Sequence, residues 1–280
     1  QYLNRAQLAE GQLELARLLK SNSIEEIEQK QAFVKEMATK IEFRQNFAAH
    51  AKLLQTNEKV KHIVSWLAQY KSHVPKLMQW LPYVFSGVSV VVIGLLITEF
   101  IELKHFLIWF FVGLGISGFY IKKTNMLSLY AGKTQASFQQ YAKLIDLIEN
   151  EQFSTAKEVA FQQNLKDNQF EFSKLLSQFS KQIDNLEQRK NMLLGVVLNG
   201  LCLWDLMQSY KIEQWILKHN NKVNEVFQLV AELDAWCSSG NFSCNHPTYV
   251  FPEINPEQAS QIKVVDAIHP LLDSENAVAN

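Results

Sequence analysis

Two long uncharged stretches separated by a short charged one constrain this chain more than any other feature. From Leu77 through Thr98 no Asp, Glu, Lys or Arg occurs. At ~1.5 Å rise per residue, those roughly 22 residues would cross the ~30 Å hydrocarbon core of a bilayer as one helix. The second stretch, Phe106–Ile121 (FLIWFFVGLGISGFYI), is shorter, about 16 residues, and spans with local thinning or with Tyr120 and Lys122 reaching outward. Glu99, Glu102, Lys104 and His105 fall between the two, where a turn would meet the far headgroups, while Trp80, Tyr83 and Tyr120 fall at the near interface. The pattern predicts a transmembrane helical hairpin over residues 77–121, with Val91, Leu95, Phe106, Trp109 and Phe110 in its apolar body. Gly113, Gly115, Ser117 and Gly118 suit close contact between helices. The alternative is a buried helical hairpin inside a large soluble core.

Flanking charge orients the hairpin. Lys71 and Lys76 precede it, Lys122, Lys123 and Lys133 follow it, and the turn holds Lys104. The positive-inside bias then places both soluble parts in the cytoplasm, with membrane lipid as the first expected partner.

Outside the hairpin the chain is long enough for one or two domains with real cores. Lys+Arg (27) nearly balances Asp+Glu (28), a net charge of -1, so no global basic field advertises nucleic acid. With 10 Gly and 6 Pro, four of the prolines lying after Ala235, most of the chain has few helix breakers. A mainly α fold follows. Three cysteines, Cys202, Cys237 and Cys244, in a chain facing the cytoplasm read as free thiols. Cys237, Cys244 and His246 are too few and too oddly spaced for a zinc site.

Taken in order, residues Tyr2–Leu19 carry Leu3, Leu8, Leu13, Leu15 and Leu19 at roughly helical spacing. Ser23-Ile24-Glu25-Glu26 reads as a capping box opening a second helix. Phe43, Phe47, Ala51 and Leu54 mark a third, and Asn57 is placed to cap a fourth over Glu58–Tyr70. Beyond the hairpin, helices are expected over Thr134–Glu149, Ser154–Leu165, Phe170–Glu187 and Tyr210–Trp236. The apolar run Asn191–Asp205 includes two Asn and reads as a buried soluble helix rather than a third span. After Ser238 prolines accumulate, a different domain is expected to begin, and Gln261–Ile268 reads as a strand. Both ends read as internal to a longer gene product.

The segment from Leu229 through Glu232-Leu233-Asp234 to Phe242, then Pro247, Phe251-Pro252-Glu253-Ile254 and Ile268-His269-Pro270-Leu271-Leu272, resembles the MutS-like mismatch-repair ATPases at the junction of helical core and ATPase. Lys30-Gln31, Val34, Glu36-Met37 and Arg44-Gln45 are similar to a step in that family's early core helices. Asn199, Leu203-Trp204-Asp205 and Glu213-Gln214-Trp215 resemble the membrane-anchored MutS-related branch, in which a membrane hairpin interrupts the core.

The resemblance implies residues 1–76 and 122–237 as two parts of a helical core with long lever helices, and 238–280 as the opening of an ATPase domain. It also implies ATP and Mg bound mostly beyond this chain, with His269 and Pro270 near the nucleotide, and a homodimer formed through the ATPase domain. DNA is a further implied partner. A clamp-like insertion and a mismatch-reading domain are lacking, and Ala277 stands where classical members offer adenine an aromatic ring.

Two motifs are set aside. Ala131-Gly132-Lys133-Thr134 lacks the earlier glycine of a phosphate loop, Leu127 standing there, and Phe251-Pro252-Glu253 lies far from any mismatch-reading domain. The expected fold is a multi-helix core or lever bundle with a transmembrane hairpin and a short β-containing C-terminal segment. Its expected role is to couple an ATPase to the membrane, and a membrane-anchored scaffold for a protein partner is the alternative.

Overall fold

The computed structural model describes residues 2–21, 25–54, 60–167, 170–188, 191–254 and 263–265. The described residues are mainly helical. Four helices precede the hairpin: α1 (Ala9–Lys20), α2 (Ile27–Thr39), α3 (Ile41–Leu54) and α4 (Val60–Gln69). A 3₁₀ turn, Lys76–Gln79, leads into α5 (Leu81–Ile97), which has Pro82 in its first turn, where a missing N–H costs nothing. Then come α6 (Leu103–Asn150), α7 (Ala156–Asn164), α8 (Phe172–Glu187), α9 (Met192–Cys202) and α10 (Trp204–Asn245). A short antiparallel pairing of β1 (Lys166–Asp167) with β2 (Phe170–Glu171) joins α7 to α8.

The apolar arm expected to end at Ile121 does not end there. It continues into the helix expected over Thr134–Glu149, and α6 is one helix of 48 residues. Nothing between them breaks a helix: no proline occurs in α6, and the change at Lys122-Lys123 is one of polarity rather than of backbone preference. The first arm is correspondingly shorter than expected, because residues 76–79 take the tighter 3₁₀ path and α5 has 17 residues.

The second half of α6 is the axis of the core. Phe138, Tyr141, Leu144, Ile145 and Ile148 recur at helical spacing and are buried. They meet α8 on one side and α3 on another, and α10 closes the bundle against α1, α2, α4 and α8. Tyr141 stacks on Phe227 with ring centroids 3.9 Å apart, and Phe179 stacks on Trp215 at 4.0 Å. Phe138 stands edge-on to both Phe179 and Trp215, the geometry that ring quadrupoles favour.

Several helix starts are completed by carboxylates from distant helices. Glu149 accepts the Phe172 amide at 2.7 Å and the Ser173 hydroxyl at the start of α8. Glu36 accepts the amides of Ser154 and Thr155 ahead of α7, at 2.8 and 3.0 Å. Asp234 accepts those of Gln7 and Leu8 ahead of α1, at 3.1 and 2.7 Å. Each supplies an acceptor to N–H groups at or just ahead of a helix start. Burial raises the Glu149 carboxyl above its usual range, its bonds to Ser173 and Phe172 opposing that rise.

Two local expectations are corrected, and a third lies mostly outside the described residues. Glu26 is not the third residue of a capping box; it precedes α2 in the left-handed region (φ 55°), while Ser23 and Ile24 lie outside the described residues. The last helix runs past Trp236 to Asn245, where Gly240 lies against Met37 so closely that an added Cβ would come within 2.6 Å. Of the strand expected over Gln261–Ile268, only 263–265 are described, and they form no strand. The remainder of that run, with His269, Pro270 and Ala277, lies outside the described residues, as does the Asn57 cap.

Candidate functional site

α6 is long and apolar enough to cross a membrane, and α5 is a shorter apolar helix beside it. They are joined by a turn in which Glu99 adopts a left-handed backbone (φ 57°) and Lys104 pairs with Glu102 at 2.9 Å. At ~1.5 Å per residue, α5 is about 25 Å long. Both helices present exposed apolar side chains: Val84, Val88, Val90, Val91 and Ile97 on α5, and Leu107, Ile108, Phe111, Val112 and Phe119 on α6. Phe119 is 82% exposed, the largest value among these.

The residues expected in the hairpin divide into two sets. Trp80, Tyr83 and Val91 face outward, Trp80 and Tyr83 near the base of α5, whereas Leu95, Phe106, Trp109, Phe110 and Tyr120 are half-buried. Trp109 stacks on Phe85 with centroids 4.3 Å apart and planes 16° from parallel, and its indole N–H donates to the Ser89 hydroxyl at 2.8 Å. Phe106 stacks on Phe110 at 6.2 Å. Tyr120 carries the Lys123 ammonium 5.8 Å from its ring, and Tyr83 carries that of Lys211 at 6.0 Å, an aromatic and cationic pairing suited to the headgroup level.

A small second core lies at the base of the hairpin. Val74, Met78 and Phe85 pack with Leu203 and Leu206 of the α9–α10 junction, with Trp109, Ile116 and Tyr120 against them. Beside it, the buried carboxylate of Glu213 on α10 gathers the chain entering the hairpin. It accepts from the hydroxyls of Tyr70 (2.7 Å) and Ser72 (2.6 Å) and from the amides of His73 (3.0 Å) and Val74 (3.1 Å). Four donors on one carboxylate compensate its desolvation. Burial and the same carboxylate push the Tyr70 hydroxyl well above its ordinary pKa.

α9 is not the buried helix that its two Asn residues suggested. Met192, Leu193, Leu194, Val196 and Val197 are exposed, and the helix packs against α6 and α5. Gly200 and Gly113 meet there: a Cβ on Gly113 would lie 2.4 Å from the Gly200 carbonyl oxygen, and one on Gly200 would lie 2.2 Å from the Phe110 ring. Gly115 and Gly118, which share the small-residue stretch, have nothing within 4 Å of an added Cβ. Asn199 donates to the Gly195 carbonyl at 2.9 Å and accepts the Asp205 amide at 3.0 Å, capping α10 across the left-handed Leu203 (φ 50°). The Trp204 indole donates to the Asn185 carbonyl at 3.0 Å.

The stretches that carry the family resemblance have structural roles as well. Asp234 holds the segment before α1 and sits so near Gly11 that an added Cβ would come within 2.3 Å of its oxygen. Gln31 on α2 donates to the Pro252 carbonyl at 2.8 Å, and the Lys35 ammonium lies 4.8 Å from the Phe251 ring, so the segment after α10 is laid on α2. Gly132, Lys133 and Thr134 sit mid-helix in α6, with the Thr134 hydroxyl on its own backbone at the Ala131 carbonyl.

Among the described residues no three His, Cys, Asp or Glu side chains gather as they would around a metal ion. Ser89, Gly200 and Glu213 hold contacts at the hairpin that reasoning from sequence did not single out. Ser89 carried one signal: with Ser86 it is one of two serines in an otherwise apolar arm. Comparison with protein-family models, curated proteins and solved structures gave no match.

Proposed function

We propose that this chain is the helical core and lever of a membrane-anchored ATPase of the MutS-like kind, with residues 77–121 in the bilayer. The observation that carries the reading is the continuity of α6, which leaves the apolar hairpin and becomes the axis of the buried core without a break. A helix of 48 residues is about 72 Å long. The second long helix, α10, is tied to the entrance of the hairpin through Glu213 and leads at its other end to the segment lying on α2. Motion of a domain following that segment would reach the membrane through α10 and Glu213 rather than being absorbed in a loop.

The ATPase half of this reading rests on the resemblance of Leu229–Leu272, and ATP and Mg would bind in the domain that follows. DNA contact and pairing with a second copy belong to the same proposal. The near-balanced charge supports weak DNA binding without mismatch preference.

Two measurements test it. A reporter active only in the cytoplasm should work when fused after Lys123 and fail when placed at Glu102; equal activity at both sites would remove the membrane hairpin. In the parent reading frame, G-x-x-x-x-G-K-[ST] should follow a hydrophobic strand within about 15–40 residues of Asn280, which the next ~60 codons would show. A frame without it would remove the ATPase and leave a membrane-anchored scaffold.

A further inference from the structure

We propose that α9 is a third membrane-embedded element: a re-entrant half-span docked on the hairpin, with its exposed face in lipid acyl chains. The inference rests on the hairpin lying in the bilayer and goes beyond it, because α9 is separated from the hairpin by about 70 residues of core.

Exposure is the first observation. Met192 and Leu193 are each 81% exposed, and Leu194, Val196 and Val197 continue the same apolar surface. No charge occurs from Asn191 to Leu203. A helix apolar on nearly all sides is stable only inside a large core or in lipid, and α9 has a core partner on one side alone.

The side that is covered identifies the medium on the other. α9 packs on α5 and α6 through Gly113, Gly200 and Phe110, within the part of the hairpin whose remaining surface is Val90, Val91, Ile108 and Phe111. Both partners in that contact thus carry exposed apolar side chains. At 11 residues, α9 is about 16 Å long, half of a ~30 Å hydrocarbon core. It turns through 83° into α10 at Leu203, so the pair cannot make one straight span.

The two Asn side chains of α9 turn onto backbone, as a low-dielectric medium favours. Asn191 accepts the Leu194 amide at 3.4 Å, and Asn199 bonds to Gly195 and Asp205. The Leu201 carbonyl, at the end of the helix, lies 2.7 Å from the Ser89 hydroxyl. In sequence, Arg189 and Lys190 directly precede the apolar run, the charge expected where a chain leaves anionic headgroups for the hydrocarbon. A second copy of the chain offers no comparable reason for those two cations.

The test places one environment-sensitive fluorophore on the full chain, reconstituted in vesicles containing phospholipid with a nitroxide on its acyl chain. The label is carried by Leu193→Cys, by Val91→Cys as the hairpin control or by Lys218→Cys as the aqueous control, with Cys202 and Cys244 changed to Ser and Cys237 to Ala. We expect quenching at Leu193 as large as at Val91, with none at Lys218. Quenching at Val91 without quenching at Leu193 overturns the half-span and leaves the hairpin. Quenching at neither removes both. Should the cysteine-replaced chain fail to reconstitute, a photo-crosslinking residue at Leu193 in the otherwise natural chain decides: lipid adducts support the proposal, and protein adducts or none overturn it.

Discussion

Glu213 accepts a hydrogen bond of 2.7 Å from the Tyr70 hydroxyl, although 143 positions and the whole hairpin separate the two residues in sequence. Because three more donors share that carboxylate, its removal strands several buried polar groups at once. Glu213→Ala should destabilise the protein by about 3 kcal/mol and free residues 71–75. Thermal unfolding in detergent, with limited trypsin digestion read at Lys71, checks both. Unchanged digestion at Lys71 would show that the chain is held there by something else.

The glycines of α6 give a contrast within one helix. Gly113→Ala pushes a methyl group into the Gly200 backbone and should cost about 1–3 kcal/mol. Gly115→Ala and Gly118→Ala meet nothing and should stay within about 0.5 kcal/mol of the parent. Melting curves of the three variants in one detergent decide it, and equal losses at all three would contradict the close approach.

Ser89 and Trp109 should prove coupled. The Ser89 hydroxyl accepts the indole N–H and has the Phe85 and Leu201 carbonyls within reach of its own proton, at 2.9 and 2.7 Å. Ser89→Ala leaves the indole N–H without a partner among apolar neighbours, a loss of about 1–3 kcal/mol. In Trp109→Phe that donor is gone already. A double-mutant cycle should therefore show coupling above about 0.5 kcal/mol, and strict additivity would refute the contact.

Asp234 gives a pH dependence of defined sign. Burial pushes its carboxyl up from 3.8 to about 6, against the opposing pull of the Leu8 and Gln7 amides. Between those values the folded chain binds more protons than the unfolded one, so this contribution to stability is greatest below 3.8 and is lost as pH rises through about 6. The total change is of order 3 kcal/mol. Relative to Asp234→Asn, the parent should be more stable near pH ~4 than near pH ~7, and a difference that grows with pH would reverse the assignment.

The apolar arms were legible because absence of charge over that length is a property of sequence alone. The extent of α6 was not. Lys122-Lys123 marks a change of surroundings, and a helix crosses such a change freely when neither Pro nor a cap interrupts it. The helix starts were hidden for another reason. Local rules look for a capping side chain next to the first turn, whereas Glu36, Glu149 and Asp234 come from other helices. α9 was misjudged from its two Asn residues, which are polar by composition but turn their hydrogen bonds onto neighbouring backbone.

The core draws Phe33, Phe47 and Ile63 from before the hairpin and Phe138, Phe179 and Phe227 from after it. A ribosome delivers the first group earlier than the second by on the order of ten seconds at ~5–20 residues per second. During that interval α1–α4 have no α6 axis and no α10 to bury their apolar faces. The early helices thus wait as half a core until α6 and α10 are complete. A lesion in α10 will register first as lost yield, through aggregation or proteolysis of the waiting segment, and only afterwards as a lower melting point.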